Sequence, residues 1–411
     1  MKHELQVELL RELIAQVDEG RNDDAGVQYK MPTFAYINEK IAEREWELLF
    51  RQQPQLVGMS GDLPGAGSYF TVEEFGVPVL ATRDELGVFR AFVNACRHRG
   101  VKVATDTRGV AKRFVCPFHA WTYASDGRLT GVPREADFGA VDKQCNGLIE
   151  LAAVERYGML WVHPQPGEKL DIDALLGTAL AEEIASFKLE SYLYAGNKNI
   201  DRRLNWKLAN DTFGETYHFQ KLHRDTLGQV FYGNNLAYEA FGRHHRFVTA
   251  SKSIDQVRQR PESEWRLSHG ALLIYYLFPN VQMIFNTGRL SVVRIYPVQD
   301  KPSRSLTRIV TYCEAELAHL VLGSDIDAAQ ATRTVTDIYD PNKPAGAVAT
   351  LEATMEAFYS TVEKEDYAMG ELQQRAAESG MLPEVMFGRN EAPLHHFHNS
   401  FREVLGMDSL E

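Results

Sequence analysis

Two short stretches of the chain set thiols beside imidazoles. Cys96-Arg97-His98 is a C-x-H, and Cys116-Pro117-Phe118-His119 is a C-x-x-H, with seventeen residues between His98 and Cys116. Two thiolates and two imidazoles can hold one tetrahedral zinc. They can equally hold a [2Fe-2S] cluster in which the two Cys bind one iron and the two His the other. Gly100 and Pro117 are suited to the tight turns from which such ligands project.

A second group of donors lies in Asn205-Trp-Lys-Leu-Ala-Asn-Asp-Thr-Phe-Gly-Glu-Thr-Tyr-His-Phe-Gln-Lys-Leu-His223. On a helix, Glu215 and His218 share a face, so the carboxylate can hydrogen-bond near a ligand imidazole. His223 does not share that face, because five residues leave it about 140° from His218 around an ideal helix. Both bind one metal only if the helix ends or distorts between them. Two His in an apolar-aromatic run are, by themselves, more often structural. Iron sites for oxygen chemistry commonly combine two His with one carboxylate and leave adjacent positions open, so a carboxylate is expected from a separate buried element. The longest helical pattern, 351–377, carries an apolar stripe of Met355, Phe358, Val362, Met369 and Leu372, with Glu365-Asp366 in its gap. A carboxylate on a buried stripe needs a partner. Periodicity does not choose between these two acids, whereas Glu352, Glu356 and Glu363 read as an acidic helix surface.

The elements that must position these groups fall into three stretches. Residues 1 to about 45 read as helical, with Leu5, Leu9, Leu13 and Val17 at four-residue spacing and a second helix over 37–50 after Pro32. From about 61 to 163 short alternating strands predominate, including 76–82, 88–93 and 113–116. After Pro164-Gln-Pro-Gly167 the elements lengthen. Residues 270–285 read as two buried strands, with 289–298 and 305–314 as their successors in a mostly antiparallel sheet. The aromatics of that sheet are expected mainly in the core, with some lining an apolar cavity.

A chain of 411 residues with 44% hydrophobic content suits two or three globular domains. Its charged amino terminus and the lack of an 18-residue apolar run point to a cytoplasmic protein without a membrane span. Four cysteines make no disulfide framework, and Cys145 and Cys313 read as reduced thiols. A net charge of -12 argues against nucleic-acid binding. Arg97, Arg99, Lys102, Arg108, Lys112 and Arg113 nevertheless form a basic island around the first motif, against Asp106 alone. Such an island is either a solvated loop surface or a docking face for a small acidic electron carrier. His395, His396 and His398, like His244-His245, read as surface or helix-end histidines. No Gly-rich dinucleotide fingerprint is visible.

The paired loops, the Asn205-Trp206-Lys207 lead-in, the Glu215-to-His223 run and Glu365-Asp366 with Gln373 downstream together resemble the catalytic α subunit of Rieske non-haem iron oxygenases, over nearly the whole chain. The resemblance implies an α+β protein: a helical arm (1–50) packing with the catalytic domain, a small all-β Rieske [2Fe-2S] domain (51–165), and a catalytic domain (166–411) with a helix-grip-like antiparallel sheet surrounded by helices. It assigns Cys96, His98, Cys116 and His119 to the cluster, and His218, His223 and Asp366 to a mononuclear Fe(II). It further implies a homotrimer, with or without a small β subunit, in which a neighbour's cluster supplies the electron and Glu215 bridges His218 to that neighbour's His119. Electrons would come from NAD(P)H through a separate reductase or ferredoxin, and O2 would be used on a small-molecule substrate.

Three residues depart from the family pattern. Glu215 stands where Asp is commoner, Asp211 where a neutral amide often lies near the iron, and Ala120 where Gly usually follows the second cluster His. Asp211 could touch the iron's surroundings or be displaced from them. Expected chemistry is hydroxylation of an aromatic or polycyclic substrate. The rivals are a mono-oxygenase or demethylase acting on a quaternary ammonium or methoxy compound, a Rieske electron carrier, and a zinc-stabilised binding module.

Overall fold

The computed structural model describes residues 1–286, 288–314 and 351–411. They form two units, one comprising Glu45–Tyr194 and the other Met1–Arg44 together with Ala195–Glu411. These borders replace the expected ones at 50/51 and 165/166, and local packing explains both shifts. Trp46 begins a widened helical turn, Trp46–Arg51, that buries Leu49 and Phe50, and its indole lies against Gly76 of the smaller unit. Past Pro164, the chain folds back on the same unit. Asp173 is held by Arg156 and Tyr157, and Leu189 and Tyr192 lie against Gly158 and Gly61, where no side chain would fit.

The smaller unit is built from one five-stranded and two three-stranded antiparallel sheets. Its strands are short: Val79–Arg83 is buried over its first four residues, and Phe89–Val93 leaves only Arg90 and Val93 less buried. Tyr69, Leu80, Phe92, Phe114, Trp121 and Tyr123 pack into one core that also contains Cys96 and Cys116. The cysteines are therefore part of the hydrophobic structure as well as candidate ligands.

The larger unit is organised by a seven-stranded sheet: β1 (Tyr192–Arg202), β2 (Ala237–Phe241), β3 (His244–Ala250), β4 (Ala271–Leu277), β5 (Val281–Asn286), β6 (Arg289–Val298) and β7 (Lys301–Glu314). Their order across the sheet is β1-β7-β6-β5-β4-β3-β2. Strand β4, Ala-Leu-Leu-Ile-Tyr-Tyr-Leu, is nearly continuous apolar sequence because both of its faces are covered. The amino-terminal helix α1 (His3–Glu19) joins this unit by burying Leu9, Leu10 and Leu13, and Tyr29–Pro32 pairs antiparallel with Glu384–Phe387. Helix α2 (Trp206–Asp211) starts at Asn205, whose side chain accepts the Lys207 N–H at 2.9 Å.

The expected long helix is two helices, α3 (Leu351–Thr361) and α4 (Tyr367–Glu378), joined by a π turn over Val362–Asp366. One extra residue in that turn rotates everything after it by about 100°. The apolar stripe is shifted accordingly. Val362 is buried, but Met369 and Leu372 are exposed, and the buried positions of α4 become Tyr367, Gly370, Gln374 and Ala377. Two tyrosine hydroxyls fix this helix pair along β7, Tyr359 on Thr311 at 3.2 Å and Tyr367 on Thr307 at 2.7 Å. A last helix, α5 (Ala392–Val404), sets Phe397 against Trp206 and Tyr276. Among the described residues, no helix is long and apolar enough to cross a membrane.

Candidate metal centres

The two Cys/His loops are copies of one backbone design. Cys96 N–H donates to the Val101 carbonyl and Cys116 N–H to that of Trp121, each at 2.8 Å, while Gly100 and Ala120 donate back to the cysteine carbonyls at 2.8 and 2.9 Å. Closing such a loop needs a left-handed residue four places after each cysteine. Gly100 takes φ +74° at little cost, and Ala120 takes φ +57° against the strain that a Cβ brings there. The cysteines are buried, and the rings of His98 and His119 meet edge to face, 4.6 Å between centroids. Nδ1 of His98 is buried without a hydrogen-bond partner among the described residues, a donor position that a metal would satisfy. Tyr123 accepts the Arg97 N–H at 2.9 Å and lies 3.3 Å from the Cys96 sulfur, as outer groups that orient ligands do. His119 itself is exposed.

The basic island around these loops is smaller than its composition suggests. Arg108 is paired with Asp62 and stacked on Tyr194, and Lys102 is paired with Glu73. Arg97, Arg99, Lys112 and Arg113 remain exposed.

The second set of donors converges on one point. A ligand atom from each of His218, His223 and Asp366 lies within 4.8 Å of the other two, and among the described residues this is the only such group of three or more. His218 stands on the single 3-10 turn Tyr217–Gln220, after which the chain leaves helical geometry and brings His223 round beside it. The helix-end distortion that the spacing demanded is therefore present. The two Nε2 atoms are 3.1 Å apart, and Asp366 Oδ1 lies 3.1 Å from that of His223 and 3.4 Å from that of His218.

Each imidazole is oriented from behind by a carboxylate. Glu215 contacts His218 Nδ1 and accepts the His218 backbone N–H at 3.1 Å. Glu365 is 2.7 Å from His223 Nδ1 and accepts the Thr226 hydroxyl at 2.9 Å. Neighbouring residues on an α-helix point about 100° apart; here the π turn lets Glu365 reach the back of one ring while Asp366 reaches the front of both. Sequence periodicity assigned Glu365 no role distinct from that of Asp366, and the wide turn that separates them leaves no mark in a stripe of apolar residues.

Electrostatics agree with the geometry. Burial lowers both histidines, but Asp366, aided by Glu215 at His218 and by Glu365 at His223, outweighs it and raises His218 to about 10 and His223 in the same direction. Burial likewise pushes Asp366 up, and the two imidazoles more than reverse that. The pocket holds a buried carboxylate that demands positive charge in front of it. Two neutral imidazoles and a carboxylate fit a divalent iron with room for further ligands.

Asp211 is not one of the converging donors. Its carboxylate accepts from His398 Nε2 at 2.8 Å and from the Tyr36 hydroxyl at 3.1 Å. The carboxyl-terminal histidines are consequently not a surface cluster: His395 and His398 are buried, as are His244 and His245, and His396 bonds Tyr238 and the Gly242 carbonyl. His395 and His398 share the buried side of α5 with Leu394, Phe397 and Phe401, whereas the sequence pattern reads them as surface or helix-end residues.

Two hollows meet the site. One, of about 280 Å³, runs from His218, His223 and Asp366 between α3 and the sheet, walled by Phe213, Phe219, Phe231, Phe247 and Phe358. The other, of about 800 Å³, is lined by Asp211, Glu215 and Glu391 with Met369, Leu372 and Met386 at its edge. Burial pushes Glu391 up to about 7 there.

Known proteins share both halves of this arrangement. Residues 53–150 match the Rieske [2Fe-2S] domain, and 189–407 match the family described as ring hydroxylating alpha subunit (catalytic domain). The glycine betaine monooxygenase oxygenase subunit of Chromohalobacter salexigens is 32% identical over 206 residues, 49% of this chain and 45% of that protein. The large oxygenase component of a naphthalene 1,2-dioxygenase system from Pseudomonas aeruginosa is 30% identical over 195 residues, 46% and 43% of the two chains. The aligned stretch thus spans about half the length of these curated relatives. In fold, a quaternary ammonium Rieske monooxygenase solved with an inhibitor superposes over 92% of this chain and 95% of its own, with a TM-score of 0.73 at 18% identity.

Proposed function

The chain belongs to the family of ring-hydroxylating oxygenase α subunits, with a Rieske [2Fe-2S] domain before the catalytic domain, and we propose that it is the terminal oxygenase component of a multicomponent system. One observation carries the reading: the convergence of His218, His223 and Asp366 at the head of an apolar cavity. That donor set fits a mononuclear iron, and Cys96, His98, Cys116 and His119 fit the cluster. When bound, the two groups supply electron delivery and O2 activation. The protein's own part is to hold an organic molecule against the three donors, to exclude water with the phenylalanine walls, and to keep each imidazole turned by its rear carboxylate.

In this proposal, electrons start from NAD(P)H and arrive through a separate reductase, with or without a ferredoxin, at the exposed basic residues beside the cluster. The working assembly is a homotrimer, with or without a small β subunit, in the cytoplasm, where thiols outside the cluster stay reduced. Within it, Glu215 passes the electron between a neighbour's His119 and His218. Support comes from the exposure of His119 and from the acidic hollow at Glu215, whose apolar edge suits coverage by another chain. A substrate with an aromatic or otherwise apolar body fits the phenylalanine-walled cavity. Quaternary ammonium compounds, used by proteins of similar fold, are the second reading.

The test combines spectroscopy with oxygen uptake. Reduced protein should show both a Rieske EPR signal and a separate ferrous site, and should consume O2 only with reductase and an accepted organic compound. A cluster signal without the ferrous site, and no uptake with any aromatic or ammonium compound, would leave an electron carrier instead. Glu215→Gln should keep both metals yet slow cluster reoxidation about 10- to 100-fold; an unchanged rate removes Glu215 from the electron path.

A further inference from the structure

The sheet side of the iron-side cavity is not uniform. Strand register sets Phe247, Ile274, Ile284, Ser291 and Thr311 in one row across β3 to β7, and all five line the cavity. The first three positions are apolar. The last two, paired side by side on β6 and β7, carry hydroxyls. Ser291 Oγ lies 3.4 Å from Thr311 Oγ1, and Thr311 is in turn 3.2 Å from the Tyr359 hydroxyl. A hydroxyl offers one donor and two acceptor sites. Thr311 is buried and turns its oxygen to two neighbours, whereas among the described residues the Ser291 side chain has only the long bond to Thr311. A bond of 3.4 Å is a weak one. Whichever way the protons run along Tyr359, Thr311 and Ser291, Ser291 keeps unused bonding capacity at the edge of a space walled mainly by phenylalanine.

The helix above gives the distance from this pair to the metal end. Tyr359 precedes Asp366 by seven residues, about 10 Å along a helix. Two fused rings fill that span and a single ring does not. At about 280 Å³ the cavity is at the small end of ligand sites, which suits a body of that size. The carboxylates of the described lining, Glu215 and Asp366, are engaged with histidines at the metal end, and Asn286 and Arg289, one step beyond the row, have contacts of their own.

We propose that this cavity takes a neutral compound of two fused rings bearing a hydroxyl or carbonyl oxygen. That oxygen bonds Ser291 at the Ser291/Thr311 pair, and the opposite ring edge is presented at the His218/His223/Asp366 end. The inference rests on the oxygenase reading and narrows its substrate class. A bare hydrocarbon leaves the Ser291 hydroxyl with one weak bond against an apolar neighbour, and an oxygen placed there completes it. A carboxylate or an ammonium group brings a full charge to a pair of hydroxyls that cannot neutralise it. Ser291 therefore selects among flat apolar bodies by a single oxygen, as a polar group set in an apolar site does.

The experiment is anaerobic titration calorimetry on the metal-loaded protein, using 2-naphthol, naphthalene, phenol, 2-naphthoate and glycine betaine. 2-Naphthol should bind one to one, about 3- to 10-fold more tightly than naphthalene and more tightly than phenol. Ser291→Ala should erase that advantage over naphthalene while leaving naphthalene binding unchanged, which also shows that the variant is folded. Ser291→Thr, which keeps a hydroxyl, should retain the preference. Equal binding of 2-naphthol and naphthalene, equal losses for both in Ser291→Ala, or no binding by either overturns the proposal. So does phenol, 2-naphthoate or glycine betaine binding more tightly than 2-naphthol. Oxygen uptake separates the two levels. Bound 2-naphthol that triggers no reductase-dependent uptake counts against the oxygenase reading while the hydroxyl subsite stands, and uptake with compounds that gain nothing from Ser291 removes the subsite while that reading stands.

Discussion

The two metal centres are built in opposite ways. The four Cys/His donors come from two loops of identical backbone construction, joined by hydrogen bonds of 2.8 to 2.9 Å within each loop. The three His/Asp donors come from a 3-10 turn, from His223 three residues beyond its end, and from a π turn whose Asp366 is 143 residues after His223. A loop that closes on itself carries its geometry in local sequence, down to the left-handed position filled by Gly100 and Ala120. A site assembled across the fold depends instead on packing, here on Tyr359 and Tyr367 holding the helix pair along β7. The first design suits a relay that must not move. The second leaves one side of its donors open to a cavity.

This contrast predicts that damage at each centre stays local, with the largest effect at the assembled site. Asp366→Ala should remove mononuclear iron and take substrate-dependent oxygen uptake to background, yet leave the Rieske EPR signal and visible spectrum intact. Loss of both metals from this single change would mean that the centres are not independently built. Glu365→Gln, which keeps size but weakens the hold on His223 Nδ1, should lower iron affinity by about 10- to 100-fold; metal titration with an unchanged affinity would make Glu365 a bystander. In the basic patch, reversing Lys112 and Arg113 to Glu should slow electron entry several-fold in dilute buffer, with the difference fading as salt shortens the range of charge. Stopped-flow reduction at two ionic strengths measures this, and a salt-independent rate would sink the docking role. The smallest effect belongs to the loops. Ala120→Gly should raise the stability of the smaller unit by about 1 kcal/mol by relieving the left-handed alanine, read as a higher denaturant midpoint of the holoprotein. A lower midpoint would show that the Cβ contributes packing that outweighs its strain.

Legibility in the sequence followed the same division. The short strands around the Cys/His loops, and the apolar strands of the larger sheet, were readable from alternation and from continuous hydrophobic runs, and β6 spans 289–298 as its pattern indicated. The unit borders were not. Nothing in the Pro164–Gly167 punctuation reveals that Leu189 and Tyr192 come back to lie on Gly158 and Gly61. The stripe on 351–377 predicted a buried Met369 and Leu372, and one inserted residue at the π turn put both in solvent. Asp211 carried a charge without a visible purpose until His398, 187 residues away, proved to be its partner. The same distance explains why the histidines of α5 read as surface or helix-end residues while His395 and His398 are buried, since a buried and an exposed histidine look alike in a sequence.

What the sequence determined by itself is the donor inventory and its local order: which residues can bind metal, how closely each pair is spaced, and that His218 and His223 could meet only where a helix breaks. Those are properties of neighbours along the chain, for which covalent geometry is enough. Tertiary structure decided which of two adjacent carboxylates faces the imidazoles, and that the other supports one from behind. It also set Ser291 and Thr311 side by side in a phenylalanine-walled cavity. Each of these depends on contacts between residues far apart in sequence, made when burying apolar surface brings a sheet and a helix pair together.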